Sequence, residues 1–180
     1  MPLPIEVLRQ RLYNEILTCK KELRHIISVS DSSLSNFPIE IDLTFVKTPG
    51  PFLWEGKVTT RYTHKVKIII TAQYPYQKPI VRWLSPIFHP NIMPSHEGGY
   101  VCTKLFDTWT PQATLLMFIK GLETLLSNPN PGNPLGSEAC QKAAEYFEKH
   151  PYKPPVIVEK TKTEHAPKIV GGAEDGEGKA

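Results

Sequence analysis

FPIEIDLTF, residues 37–45, alternates without a break: Phe37, Ile39, Ile41, Leu43 and Phe45 fall on one side, Pro38, Glu40, Asp42 and Thr44 on the other. A period of two is the mark of a strand with one buried face and one wet face. Working outward, TPGP (48–51) is a turn, and FLWEGKVTTRY (52–62) and HKVKIIITAQ (64–73) are two further β-rich runs joined by a short polar connection. YPYQKP (74–79) breaks the pattern, and IVRWL (80–84) is a fourth short strand. Together these runs predict an antiparallel meander.

Helical periodicity lies on either side of them. Over residues 4–25, Ile5, Leu8, Leu12, Ile16, Cys19 and Leu23 recur every three or four positions and make one apolar stripe, with Pro4 suited to the first turn. Arg9, Arg11, Lys20, Lys21 and Arg24 sit mostly off that stripe, as either a solvated face or a docking face. SVSDSSLSN (28–36) is a polar loop. TPQATLLMFIKGLETLLS (110–127) is a second helix, with Thr110 as N-cap and Pro111 at its first position. Leu115, Leu116, Phe118, Ile119, Leu122, Leu125 and Leu126 make it apolar nearly all round, so it is expected to be central and buried. NPNPGNP stops it, and SEACQKAAEYFEKH (137–150), capped by Ser137, is a third helix. Strands that run together with helices at the ends give an α+β class, with the helices against one face of an antiparallel sheet. The segment from 156 is rich in Lys and Glu and ends in GGAEDGEGKA. The expected organisation is therefore one domain over 1–155 and a flexible tail over 156–180.

Composition narrows the function classes. The chain has 180 residues, 40% apolar and 22% charged, which is ordinary for a globular protein. A net charge of +3 is too mild to argue for nucleic acid. No apolar run reaches the roughly 18 residues a membrane span needs. MPLPIEVLRQ lacks the layout of a signal peptide, so a soluble, cytoplasmic protein is expected. Cys19, Cys102 and Cys140 are odd in number, far apart and without CxxC spacing, which fits reduced thiols.

Residues 85–110 hold the chemistry. They show no sustained periodicity, yet Phe88, Ile92, Tyr100, Val101, Leu105, Phe106 and Trp109 favour an ordered, packed loop. Cys102 lies inside this segment close to Gly98 and Gly99, whereas Cys19 and Cys140 fall among apolar neighbours in helices. Reactivity needs exposure, and on these grounds Cys102 is equally a nucleophile or a structural thiol. His89, His96 and Cys102 match no common zinc spacing and lack a nearby fourth ligand, so no metal is assigned. His64, His89 and His96 are available as bases, but no protease signature surrounds the cysteine.

YPYQKP before a strand, then PIFHPNI, Cys102, Trp109-Thr110-Pro111, a buried helix and NPNPGNPL, in that order, resemble the ubiquitin-conjugating enzymes over roughly residues 5–150. RLYNE (11–15) also looks like the opening helix of that family. The resemblance implies a ubiquitin-conjugating-enzyme-like fold, a four-stranded antiparallel meander with an N-terminal helix and two C-terminal helices. It implies that Cys102 accepts ubiquitin or a related modifier as a thioester from an activating enzyme and passes it to a lysine, with or without a ligase. A thiolate is strongly nucleophilic, and the incoming bond is already a reactive thioester, so no paired histidine is needed. No cofactor is implied, since ATP is used by the activating enzyme.

Further roles follow by position. Asn91 matches an asparagine that either stabilises the oxyanion, a contribution typically of about 10²–10³ in rate, or orders the loop. His89 and Pro90 set the turn that presents it. Asn133 matches the position that commonly carries an acidic residue near the acceptor lysine; it can accept a hydrogen bond but offers no charge, and Asp107 is the candidate stand-in. Tyr76, Thr110, Pro111 and Gln112 match two loops that dock RING-type ligases, and Arg9 and Arg11 lie on the helix that meets the activating enzyme. A monomer that contacts neither nucleic acid nor membrane is expected. The sequence departs from the family in its longer gap, MPSHEGG, between Asn91 and Cys102, in Lys104 where an acidic residue is usual, and over 46–66. The alternative is a catalytically inactive relative, a binding module of the conjugating-enzyme or RWD type.

Overall fold

The computed structural model of the chain describes residues 2–29, 36–102 and 104–157; most of the expected tail, 158–180, lies outside them. The described residues form α1 (Ile5–Glu22), β1 (Ile26–Ser28), β2 (Ile39–Phe45), β3 (Gly50–Trp54), β4 (Lys57–Arg61), β5 (His64–Ile70), β6 (Ile80–Trp83), α2 (Leu115–Ser127) and α3 (Glu138–Lys149). Single 3-10 turns occur at Ser95–Glu97 and Lys104–Phe106.

The alternation that opens the sequence reading becomes the centre of the sheet. In β2, Ile39, Ile41, Leu43 and Phe45 are at most 1% exposed, while Glu40 and Asp42 face solvent. The four-stranded antiparallel sheet runs β1-β2-β5-β6, with Ile41 opposite Ile68 and Ile68 opposite Val81. Its membership differs from the reading of the runs. FLWEGKVTTRY is not one strand but two. Glu55 and Gly56, both at positive φ (46° and 76°), fold it back as a two-residue hairpin turn. The resulting β3–β4 pair is a separate two-stranded sheet inserted between β2 and β5. The added strand β1, three residues long, was hidden because its exposure pattern is too short to show a period.

The inner face of the sheet, the α1 residues Leu8, Leu12, Ile16 and Cys19, and the α2 residues Leu115, Phe118, Ile119, Leu122 and Leu126 form one core. Each such side chain contributes about 1.5–3 kcal/mol by leaving water. Ile5, at the head of the expected stripe, is 42% exposed. The second helix begins later than expected: the N-cap is Thr114, whose hydroxyl accepts from the Met117 N–H, and residues 110–113 form a separate turn closed from the Ala113 N–H to the Thr110 carbonyl. A Thr-Pro pair suits either opening, and the later threonine prevails because Leu115 is the first side chain to enter the core. Ser137 caps α3 as expected, accepting from the Cys140 N–H. That helix buries Cys140, Ala143, Ala144 and Phe147, and Phe147 meets the rings of Phe88 and Tyr152.

One carboxylate joins the three parts of the core. Glu15 accepts from Arg11 Nε at 2.7 Å, from the Tyr74 hydroxyl at 2.6 Å and from the Leu115 N–H at 2.7 Å. Arg11 also donates to the Ala113 carbonyl at 2.9 Å. Thus α1 holds both the YPYQKP turn and the start of α2. Removing one member of a half-buried charged network leaves the others unsatisfied. Glu15→Ala is expected to lower unfolding stability by about 3 kcal/mol, measured by urea denaturation at pH 7. Glu6→Ala, which breaks only the exposed pair with Arg9, should stay within about 0.5 kcal/mol of the parent.

Candidate active site

The residues from His89 to Cys102 fold back on themselves. The Cys102 N–H donates to the Asn91 carbonyl at 2.8 Å and the Met93 N–H donates to the Tyr100 carbonyl at 2.8 Å, with Ile92 bridged to Val101 between them. This short antiparallel ladder sets Asn91 beside Cys102. The enlarged segment MPSHEGG forms the tip of the ladder, where length does not disturb the register. Gly99 makes the return possible. Its φ is +63°, its carbonyl accepts from the Trp83 N–H at 2.7 Å, and a Cβ there would lie 2.3 Å from the Trp83 carbonyl oxygen. Only glycine fits this approach to β6.

Asn91 is 2% exposed and its side chain is fully engaged. Nδ2 donates to the carbonyls of Asn130 and Asn133, both at 3.0 Å, and Oδ1 accepts from the Asn130 N–H at 2.7 Å. The Leu135 N–H completes the seam by donating to the Pro90 carbonyl at 2.9 Å. In this arrangement both amide hydrogens are spent on the NPNPGNP loop, so none is free for an oxyanion. His89 stands beneath: its Nδ1 accepts from the Asn91 N–H and its Nε2 donates to the Leu125 carbonyl, each at 3.0 Å. Both ring nitrogens are therefore occupied, as a turn-setting histidine requires, and neither has a lone pair for a metal. His96, by contrast, is exposed in the 3-10 turn at the tip.

Cys102 is half-buried, whereas Cys19 and Cys140 are buried in helices. Burial pushes the Cys19 thiol up to about 12, with the nearby Glu15 adding to the shift, and it also raises Cys140. Among the described residues, Cys102 is thus the least buried of the three thiols. A groove of about 670 Å³ reaches Val101, the residue before Cys102, and is lined by Tyr76, Lys78, Arg82, Tyr100 and Asp107 among others. The Arg82 guanidinium lies 4.1 Å over the Tyr100 ring on one wall. Asp107 is exposed on the rim, where its carboxylate faces Lys78 Nζ at 3.4 Å. Asn133 accepts from Lys104 Nζ through Oδ1 at 3.0 Å. Asp107 and Asn133 therefore engage different cations. Asn130, not singled out from the sequence, is the main partner of Asn91; the repeated Asn-Pro pairs of its loop were the available signal.

The YPYQKP turn and the segment from Trp109 to Gln112 come together. The Trp109 indole N–H donates to the Pro75 carbonyl at 2.7 Å, which fixes Thr110, Pro111 and Gln112 next to Tyr76. All four are exposed, and Tyr74 rather than Tyr76 is the tyrosine packed in the core. Arg9 and Arg11 separate: Arg9 pairs with exposed Glu6, while Arg11 is spent on Glu15, the Ala113 carbonyl and the Tyr74 ring.

The ubiquitin-conjugating enzyme family model matches residues 11–153, which contain every element from the body of α1 to the end of α3. The chain belongs to the ubiquitin-conjugating enzyme family. A ubiquitin conjugating enzyme E2 B from Dictyostelium discoideum is 35% identical over 125 residues, covering 68% of this chain and 81% of that protein. A SUMO-conjugating enzyme from Caenorhabditis elegans is 32% identical over 101 residues, covering 52% and 56% respectively. Among solved structures, the E2 domain of a Toxoplasma gondii ubiquitin conjugating enzyme superposes with a TM-score of 0.59 at 19% identity, covering 79% of this chain and 88% of that one, a likeness of fold. The resemblance carried by HPNI, Cys102 and NPNPGNPL is thus a family relationship. Among the described residues, no helix is long and apolar enough to cross a membrane.

Two measurements follow from this geometry. Asn91→Ala is expected to lower unfolding stability by about 2–4 kcal/mol, because it removes a buried side chain and the three hydrogen bonds by which it holds the 130–133 loop. An Asn91 that served only a reaction intermediate would leave thermal unfolding unchanged. Burial lowers His89 to about 3 and His64 to about 4, against about 6.5 in the unfolded chain. Between those values the unfolded chain binds more protons, so this stabilisation is complete above about 6.5 and is lost as pH falls towards 4 and then 3. The urea midpoint should drop over that interval, and His89→Gln should make the drop shallower.

Proposed function

We propose that the chain accepts ubiquitin or a ubiquitin-like modifier on Cys102 as a thioester from an activating enzyme, and passes it to a lysine amine. The observation that carries this reading is the ladder that sets Cys102, the half-buried thiol, against Asn91 and so beside the anchored 130–133 loop. Thioester exchange needs an accessible thiol and a groove for the extended end of the modifier; the space lined by Tyr76, Arg82 and Tyr100 supplies one. Asn91 acts by holding the loop that flanks the reacting carbonyl. Asn133 places an oxygen for an amine on that loop, and Asp107 adds a carboxylate to the groove lining.

Tyr76, Thr110, Pro111 and Gln112 form the surface for a RING-type ligase, and the exposed face of α1 around Arg9 meets the activating enzyme. Arg11 contributes there by fixing the helix to α2. The relatives are named for different modifiers, ubiquitin and SUMO, so the reading is kept at the level of the modifier class. The domain over 1–155 is the catalytic unit, followed by the tail, and the protein works in the cytoplasm without a cofactor of its own.

Incubation with activating enzyme, ATP and a panel of ubiquitin-like modifiers is expected to give an adduct that thiol reductants remove. Cys102→Ala should abolish it, and Cys102→Ser should give a reductant-resistant oxyester. An adduct that persists in Cys102→Ala would put the acyl group on another residue, and the absence of any adduct across the panel would point instead to a binding module.

A further inference from the structure

The two stretches where the sequence departs from its family, 46–66 and MPSHEGG, meet at one groove. β3, the 3-10 turn at Ser95–Glu97 and the start of α3 line a space of about 460 Å³. Its apolar lining includes Phe52, Leu53, Phe88 and Pro94; Phe52 and Phe88 are half-buried and Leu53 is 46% exposed. Among the described residues that line it, Glu97 and Glu138 are the carboxylates and Lys142 is the ammonium. Lys142 is already held, its Nζ donating to Glu138 Oε1 at 2.6 Å. Glu97 Oε2 is shut off from solvent and has no hydrogen-bond partner among the described residues. A buried carboxylate oxygen left in that state is costly, and a cation brought to the groove relieves it.

The path of the chain after α3 supplies the occupant. Phe147 packs on Phe88, with ring centroids 5.7 Å apart, and the Tyr152 hydroxyl meets Thr60 Oγ1 on β4 at 3.2 Å. Thr60 is paired with Pro51, the residue before Phe52. Tyr152 thus sits on the strand next to β3, shortly before the last described position, Ile157. Between 159 and 180 the only large apolar residues are Ile169 and Val170, and Lys168 comes directly before them. Residues 158–167 can span up to about 33 Å when extended, which is ample from that strand to its neighbour. We propose that Lys168-Ile169-Val170 docks in this groove in cis, with Ile169 and Val170 on the apolar lining and Lys168 against Glu97. The tether raises the effective concentration of the segment to about the millimolar range. Docking braces the tip of the ladder whose arms hold Asn91 and Cys102. The inference rests on the groove and holds whatever Cys102 carries.

The test is nuclear magnetic resonance on the full chain with labelled isoleucine and valine methyl groups. The Ile169 methyls should be shifted from their random-coil positions and should give cross-peaks to the ring protons of Phe52 or Phe88. Lys168→Glu and Glu97→Gln should each weaken those cross-peaks several-fold, whereas Lys162→Glu, a charge change elsewhere in the same segment, should leave them intact. In a mixture of labelled and unlabelled chains the contacts should stay within one molecule and be independent of concentration. Ile169 methyls at random-coil positions without ring contacts would overturn the proposal and leave the groove to a separate partner. Contacts found only between molecules would make a second copy the occupant, and cross-peaks untouched by both Lys168→Glu and Glu97→Gln would remove the charge match on which the assignment stands.

Discussion

The side chain of Asn91 is the point on which the site depends. A buried amide must satisfy its donors and acceptor within the protein or incur a large desolvation cost. Here it can do so only if the 130–133 loop stays against the HPN turn. The same residue's carbonyl accepts from Cys102. One asparagine therefore fixes the thiol, the loop opposite it and, through Asn133, the amine of Lys104. His89 supports it from below and stays neutral because burial disfavours its charge.

This arrangement explains how the chain tolerates an unusual gap. Loop length costs little in entropy when the added residues lie at a tip, and register is set by the paired backbone rather than by the count of residues between. MPSHEGG extends a hairpin whose arms are already locked at Asn91–Met93 and Tyr100–Cys102. The price is one position where no side chain fits, Gly99 against the Trp83 backbone. A second anchor, the Glu15 carboxylate, does the same for the side that carries Tyr76. It ties α1 to Tyr74 and Leu115, and Trp109 then holds Thr110–Gln112 beside Tyr76.

Much of this was legible in the residues. The alternation of Phe37–Phe45, the apolar periods of α1 and α2 and the Ser137 cap report local periodicity, and tertiary packing agreed with them. Other features were not. Glu55-Gly56 lacks the Asn or Asp that usually announces a two-residue hairpin, so β3 and β4 looked like one strand. Thr110-Pro111 imitates a helix start so well that the true cap, Thr114, was passed over. The basic residues of α1 looked like one surface, yet Arg11 belongs to the core network.

By itself the sequence determined the class and the run from first helix through strands and long loop to two further helices, and it singled out Cys102 from the other two thiols. Those follow from periodicity and from a set of short motifs in order, each read within a few residues. Only the tertiary structure decided that β2 pairs with β5, that Asn91 spends its amide on the 130–133 loop, and that Lys104 ends on Asn133. The physical reason is the same in each case. These are pairings between groups tens of residues apart, chosen by which buried donors and acceptors can all be satisfied at once, and no local pattern in the chain encodes that choice.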